Sequence, residues 1–327
     1  MAQMKYFYEL TISSSPHAHS ATTTQTVMRD VLIALIPALI GSVYFFGFRA
    51  LLVTLVSAAA CVFFEWSYRK LMKLDSTVYD LSAVVTGVLL AFVCPVTVPY
   101  WVIIIGDFFA IIVVKQLFGG IGQNFMNPAL AARAFLFSWP VVMSTWVTPG
   151  FQNAVGIFRT DAVSSATPLA GQAGVTLWNL FIGNVGGCLG ETSALLLLIG
   201  FGYLLVRKVI TPRIPAAFLG TVAVIAMLFP QGHAPLYWAG YQVLSGGVML
   251  GALFMATDYV TSPVTKWGQV IFGIGCGAIT MAIRYLGAYN EGVSYAILVM
   301  NACVVMLDKV GRPRKFGAPK KEAVKKS

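Results

Sequence analysis

GVLLAFVCPVTVP, residues 87–99, has a looser copy later in the chain, GALFMATDYVTSP at residues 251–263. The coinciding positions are Gly87 with Gly251, Leu89 with Leu253, Val96 with Val260, Thr97 with Thr261 and Pro99 with Pro263. Short apolar segments interrupted by Gly or Pro at matching positions are typical of transporters built from repeats. The pair predicts two related halves, with chance similarity between small-residue helix ends as the alternative.

Composition places both halves in a membrane. The chain has 327 residues, of which 58% are hydrophobic and 10% charged, and its mean hydropathy is +0.79. Soluble domains carry about 25% charged residues, so this chain has too few charges to cover a soluble surface. The long apolar runs favour helices over the alternating strands of a barrel. We therefore expect an all-α polytopic membrane protein.

Ten stretches are predicted to span the membrane, since a crossing needs about 20 mostly apolar residues. They are 28–46, 50–67, 81–95, 99–118, 127–146, 190–206, 214–230, 243–257, 267–285 and 293–309. The third and the eighth are short and rich in Gly or Pro, so they are predicted to be broken or re-entrant. The resulting domains are an N-terminal segment 1–27, a five-helix repeat 28–146, a loop 147–189, a second five-helix repeat 190–309 and a basic tail 310–327.

The basic residues orient these spans. They cluster at one set of helix ends and in the tail GRPRKFGAPKKEAVKKS, as cytoplasmic loops do. Of the 22 Lys and Arg residues, only Arg49, Arg159 and Arg284 fall on the other side, and Arg133 lies within a span. Both termini are predicted to be cytoplasmic in an inner membrane, with the 147–189 loop external or periplasmic. Five helices per half make the halves inverted copies. The same placement accounts for the net charge of +10 without nucleic acid.

The predicted spans contain few residues that could bind a redox-active metal. The three histidines, His17, His19 and His233, lie outside them, whereas a membrane haem needs axial ligands inside. The five cysteines form no C-x-x-C pair and suggest no cluster, zinc site or disulfide framework. If the chain handles electrons, the carrier must be organic.

A polar stretch in the external loop, DAVSSATPLA at 161–170, supplies a candidate attachment site for such a carrier. Its first seven residues resemble the flavinylation motif D-x-x-(S/T)-G-A-T, in which a flavin transferase esterifies the last Thr to the phosphate of FMN. Ser165 stands where the motif has Gly. The resemblance implies covalent FMN on Thr167, within a motif formed by Asp161, Ser164, Ser165 and Ala166. An ordinary Ser/Thr turn before Pro168 is the alternative.

Three further segments carry a resemblance over nearly the whole chain. They are KQLFGGIGQNFMNPALAARAF (115–135), GGVMLGALFMATDYVTSPVTKWGQ (246–269) and GRPRKFGA (311–318). With the loop Thr in register, the chain resembles the D subunits of the Rnf (Rsx) ion-translocating electron-transport complexes. It is more distantly similar to the B subunits of the sodium-pumping NADH:quinone reductases. Leu253 and Tyr259 replace a Phe and a Pro of the family pattern.

The resemblance implies a membrane flavoprotein subunit of an oxidoreductase complex that is not catalytically complete alone. Electrons would pass between reduced ferredoxin and NAD, both bound by partner subunits, while Na⁺ or H⁺ crosses the membrane. The implied partners are Rnf subunits of the A, B, C, E and G types, a flavin transferase and membrane lipid. The resemblance also implies a second, non-covalent flavin, riboflavin, within the membrane part.

Other polar residues in or beside the spans are candidates for an ion route or for the second flavin. They are Asp107, Asn124, Asn127, Asp258 and Thr261. A carboxylate such as Asp107 within a span is costly unless paired or hydrated. Asn127 before Pro128 equally fits a plain helix N-cap. Glu65, near a helix end, is expected to reach the membrane interface.

Two aromatic residues near the loop motif could have either of two roles. Phe158 and Trp178 could stack on an isoalloxazine or belong to an interfacial aromatic belt.

A solute channel or transporter is the rival function. Ten helices in inverted halves also resemble the urea-transporter arrangement, and a shared fold does not fix function. In that case Thr167 would be unmodified, and the helix breaks would bind a solute.

Overall fold

The computed structural model describes residues 22–147, 149, 164–165, 167–170, 175–287 and 291–310, which are mostly helical. The helices up to residue 147 are α1 Thr24–Phe46, α2 Phe48–Leu71, α3 Ser82–Phe92, α4 Tyr100–Phe108, α5 Pro128–Leu136 and α6 Pro140–Met143. A 3₁₀ turn, Val78–Asp80, precedes α3, and α4 continues as a π-helix, Phe109–Gln116.

The remaining elements follow two short strands, β1 Trp146–Val147 and β2 Ser164–Ser165, and a 3₁₀ turn, Pro168–Ala170. They are α7 Leu177–Ile182, α8 Ala194–Val206, α9 Arg213–Leu228, α10 Pro235–Leu244, α11 Val248–Leu250, α12 Lys266–Leu286 and α13 Val293–Val310. The α11 helix continues as a π-helix, Gly251–Met255.

Several helices are long and apolar enough to cross a membrane. By length and composition α1, α2 and α12 qualify alone, and α10 with Val248–Met255, bent by 69°, would make a fourth crossing. The described residues therefore have the helices of a multi-pass membrane protein. Ten spans and an inverted repeat stay predictions.

Two predicted spans are not continuous helices. In the span 127–146, α5 ends at Leu136, and Pro140, which has no N–H to continue the helix, opens the short α6. Trp146 and Val147 then pair antiparallel with Ser165 and Ser164. This two-residue ribbon departs from the all-α expectation.

The other interrupted span is 243–257. It divides at Gly246, whose φ of +64° lies in the left-handed region that favours glycine. Two helices were not predicted at all. The six-residue α7 is too short to show a hydrophobic period, and α10 is rich in aromatic residues.

The two repeat copies have the same local shape. After α3, residues 93–99 are irregular and α4 follows; after the π-helix Gly251–Met255, residues 256–265 are irregular and α12 follows. A charged side chain from the same half holds each break. Arg49 Nε donates to Val96 O at 2.8 Å, and Asp308 Oδ1 accepts from the backbone N–H of Val264 at 3.0 Å.

Helix pairing is also similar in the two halves. In the first half, α2 packs on α4, and α4 with its π-helical continuation packs on α5. In the second half, α9 packs on α12, and α12 packs on α13. Between the halves, α1 contacts α8 and α5 contacts α13. The first helices of the two predicted repeats thus meet, and so do the last.

Candidate functional site

Thr167 lies in a small pocket beside the end of β2. Its side chain is 6% exposed, although the sequence places it in a polar loop. The residues that line the pocket with it are Pro168, Leu180, Val185, Gly186, Gly187, Glu191, Thr192, Leu244, Gly246 and Glu291. We call this the Thr167 pocket. Tyr241 of α10 helps to fix the segment, because its hydroxyl donates to Pro168 O at 2.7 Å.

Two of the four motif residues predicted with Thr167 lie in the described part of the chain. Ser164 and Ser165 form β2 and pair with β1 through the backbone, whereas Asp161 and Ala166 lie outside the described residues. Of the two aromatic candidates, Trp178 is 66% exposed and stacks on Phe181 with ring centroids 6.1 Å apart. Phe158 is also outside the described residues.

A buried ionic cluster forms one wall of the Thr167 pocket. Arg133, 2% exposed on α5, donates from Nη1 to Glu191 Oε1 at 2.8 Å and from Nη2 to Glu291 Oε2. The same Nη2 lies 3.5 Å from Cys188 Sγ. Cys188, Glu191 and Glu291 have the donor types of a metal site. All three already contact the guanidinium, which supplies the positive charge that a metal ion would bring.

A second pocket gathers three of the predicted polar residues. Asn124, Asn127 and Asp258 line it together with Lys115, Ser82 and Thr86. The apolar part of its wall comes from Val27, Met28, Val31, Val85, Leu89, Leu204, Ile210 and Phe254. We call this the asparagine pocket. It lies at the opposite ends of α3 and α8 from the Thr167 pocket.

Asn127 caps a helix and also lines the asparagine pocket. Its side-chain oxygen accepts from Ala129 N at 3.1 Å and from Leu130 N at 3.3 Å, which caps α5. Its amide nitrogen donates to Met255 O at 3.3 Å across the two halves. The N-cap prediction is therefore confirmed, and the residue also lines the pocket.

Thr261 reaches the asparagine pocket only through Asp258. Its hydroxyl donates to Asp258 Oδ2 at 3.0 Å, and its side chain is buried. Asp107 is in neither pocket. It lies between α2 and α4, where Ser57 Oγ and Cys61 Sγ contact its Oδ1.

Sequence reasoning missed the ionic partners. Glu65 does not reach an interface; it is 1% exposed and pairs with Lys115 at 2.7 Å. Glu191 and Glu291 join Arg133 from positions far away in the chain. Arg133 itself indicates that acidic partners exist, because a charged side chain within a membrane span requires a partner.

These features define a class of protein, namely a helical membrane protein with a buried Thr hydroxyl at one end and a polar pocket at the other. The chain belongs to the NQR2, RnfD, RnfE family, whose model matches residues 11–317.

Relatives support the family membership over nearly the full length. The chain is 48% identical over 320 residues to the D subunit of the Na⁺-translocating ferredoxin:NAD⁺ oxidoreductase complex of Acetobacterium woodii, covering 95% of this chain and 96% of the relative. It is 40% identical to the proton-translocating counterpart of Clostridium ljungdahlii, covering 94% and 96%. It is 34% identical to the D subunit of the ion-translocating oxidoreductase complex of Escherichia coli, covering 94% and 98%.

Proposed function

We propose that this chain is the membrane flavoprotein subunit of an ion-translocating ferredoxin:NAD oxidoreductase complex and holds FMN covalently through Thr167. The names of its relatives support the complex, and the loop motif supports the attachment. The observation that carries the site is the Thr167 hydroxyl, which lines a pocket with charged walls instead of pointing into solvent.

The charges around Thr167 suit a phosphoester. Glu191 and Glu291 would repel a phosphate, but both are paired with Arg133. A second cation lies close by, since Arg284 Nη2 would be 3.3 Å from a Cβ built at Gly246, a pocket residue. The Arg284 guanidinium donates to Gln242 O and Ser245 O rather than to a carboxylate. The two arginines balance the two glutamates, so a phosphate would meet no net negative charge.

When bound, FMN supplies one- and two-electron transfer. The chain's own contribution is to fix the attachment point. The Tyr241 hydroxyl anchors Pro168 next to the attachment point, and Leu180, Val185 and Leu244 give the pocket apolar walls.

The asparagine pocket is our proposed site for the second flavin, riboflavin. The side chains of Asn124, Asn127 and Asp258 offer amide and carboxylate groups to a flavin's polar edge and ribityl hydroxyls. The apolar wall, including Leu89, Leu204 and Phe254, suits the isoalloxazine ring. Thr261 positions Asp258 through its hydrogen bond.

The same proposal includes the arrangement in the membrane. Both termini and the asparagine pocket face the cytoplasm, and Thr167 faces the outside, in two inverted five-helix halves. Ferredoxin and NAD bind to partner subunits in the cytoplasm. Electrons that visit Thr167 therefore cross the membrane and return, which offers a way to couple their flow to an ion.

In-gel fluorescence tests the attachment. The chain is co-expressed with a flavin transferase and run on a denaturing gel under ultraviolet light. The wild type should give a fluorescent band, and Thr167→Ala should be dark. Thr192→Ala is the matched control, because Thr192 lines the same pocket and is also buried; it should stay fluorescent.

Two outcomes would contradict the proposal. A dark wild-type band in the presence of active transferase would favour the unmodified channel or transporter. An intact-mass adduct that maps to a side chain other than Thr167 would show that the flavin is bound elsewhere.

A further inference from the structure

A column of polar side chains runs between α2 and α4. Ser57, Cys61 and Glu65 follow one another at four-residue intervals on α2, a spacing that puts them on one helix face. Asp107 and Lys115 face them from α4 and its π-helical continuation. All five side chains are buried, and Asp107 is fully so, with 0% exposure.

The inner end of the column is the Asp107 cluster. Ser57 Oγ lies 2.7 Å from Asp107 Oδ1 and 2.8 Å from Gly87 O, and Cys61 Sγ lies 3.2 Å from the same Oδ1. Asp107 Oδ2 has no hydrogen-bond partner among the described residues. No Lys or Arg of the described part lies within ion-pair distance of this carboxyl group.

The other end of the column lies about one turn from the exposed end of α2 at Lys70 and Leu71. Lys115 Nζ donates to Glu65 Oε2 at 2.7 Å and to Ser82 Oγ at 2.8 Å. Thr77 Oγ1 donates to the other Glu65 oxygen. One turn further along α2, the partly exposed Arg69 donates from Nη1 to Gln116 Oε1 at 3.3 Å.

The gap between the two clusters is short. Cys61 and Glu65 are four residues apart, which is about 6 Å along the helix axis. Asp107 precedes the π-helix Phe109–Gln116, and Lys115 lies near the end of that π-helix. Its wider winding changes which α4 residues face α2, and such π segments are frequent at functional sites.

The column is closed beyond Asp107. Toward the far ends of these helices, Val53 on α2 and Ile103 on α4 are apolar and fully buried. The buried polar side chains on that part of α2, Thr54 and Arg49, donate to the backbone carbonyls of Ala50 and Val96. The polar residues therefore form a half-path that ends at Asp107 and runs toward the exposed end of α2.

We propose that Asp107 is a proton-binding site on the ion-translocation route, loaded from the cytoplasmic side past Glu65 and Lys115. The proposal rests on the proposed function and its orientation in the membrane. Loading forms one O–H bond at Asp107 Oδ2 and cancels the carboxylate charge. Unloading breaks that bond and restores the charge.

The donors around Asp107 favour a proton over Na⁺. A hard cation is bound by six or more oxygen ligands, whereas the hydrogen-bond contacts at Asp107 bring only Ser57 Oγ, with Gly87 O behind it, and the Cys61 thiol. An unpaired carboxylate within a membrane is costly, and protonation removes that cost. The titratable side chain in contact with Asp107 is the Cys61 thiol, and the ion pair of Glu65 and Lys115 lies one turn beyond Cys61 along α2.

Infrared spectroscopy of the purified complex in liposomes tests the site. Oxidised-minus-reduced difference spectra of the wild type should contain a protonated-carboxyl band that shifts in D₂O. Asp107→Asn should lose that band and redox-driven proton movement while it keeps in-gel flavin fluorescence. Asp75→Asn, at an exposed position near the same end, should resemble the wild type.

The experiment separates a failure of the Asp107 proposal from a failure of the Thr167 proposal. An unchanged band and unchanged proton movement in Asp107→Asn would overturn the assignment. So would a wild-type carboxylate band at Asp107 that responds to Na⁺ and not to D₂O, since it would make the ion sodium. A dark flavin band in the wild type would instead refute the Thr167 proposal, because the gel reports the flavin and the spectrum reports the carboxyl group.

Discussion

Arg133 shows how a single residue holds the Thr167 pocket together. Its guanidinium joins Glu191, in the segment before α8, to Glu291, in the segment before α13, and all three charges are largely withdrawn from water. A buried ion pair adds little net stability compared with an apolar replacement, but removal of one partner leaves an uncompensated charge. The cluster therefore depends on Arg133 more than on either glutamate alone.

Arg133→Met should destabilise the protein by about 3–5 kcal/mol, the usual cost of breaking a buried pair. Thermal or denaturant unfolding in detergent measures the loss. Arg213→Met is the matched control, because Arg213 is exposed and bonds only to Gln269 among the described residues. Equal losses in the two variants would show that the Arg133 cluster is not a stabilising centre.

Residue-level prediction succeeded where the signal is local. The N-cap at Asn127 follows from its Pro neighbour and is confirmed, whereas covalent FMN on Thr167 follows from seven consecutive residues and stays a prediction. It failed where the partners are distant in sequence. Glu65 is a residue near a helix end when taken alone, and only the packing of α4 on α2 shows that Lys115 buries it.

At the scale of elements, small residues set how closely helices approach. A Cβ built at Gly200 of α8 would lie 2.0 Å from the carbonyl oxygen of Ala34 on α1. That neighbour is backbone, so it cannot move without moving α1. A Cβ at Gly202, two residues along the same helix, meets nothing within 4 Å.

Gly200→Ala should therefore force α1 and α8 apart, at a cost of about 1–3 kcal/mol from overpacking. Gly202→Ala should be neutral or stabilising by up to about 1 kcal/mol, because Ala has the higher helix propensity. Melting temperatures of the two variants in the same detergent give the comparison. A Gly200→Ala variant as stable as Gly202→Ala would mean that the α1–α8 contact is looser than described.

Elements were predictable in proportion to their length and apolar content. The predicted spans 28–46, 50–67 and 267–285 fall inside α1, α2 and α12. Prediction failed in the span 127–146, where α5 stops at Leu136 and Pro140 opens a separate helix. In the span 243–257 the Gly content correctly predicted a break, which lies at Gly246. Hydropathy measures how apolar a window is, and it carries no information on whether the backbone is continuous there.

At the scale of the molecule, the two pockets are placed so that their proposed flavins would lie at opposite ends of the helices. They lie at opposite ends of α3 and α8, and the Asp107 half-path opens toward the end that holds the asparagine pocket. If the ends of these helices face different compartments, electron carriers occupy both sides of the membrane while the proton route starts on one. The matching helix pairs in the two halves support this arrangement, because inverted repeats place related breaks on opposite sides.

The orientation can be measured directly. A green fluorescent reporter fused after Ser327 should fluoresce, because both termini are expected in the cytoplasm. An alkaline phosphatase reporter inserted at Gly150 should be active, because it requires an external location. The same phosphatase inserted at Asp75, between α2 and α3, should be inactive. The reverse pattern would move Thr167 to the cytoplasm, remove the need for electrons to cross the membrane, and make the Asp107 half-path open outward. The positive charges at one set of helix ends predict the first pattern.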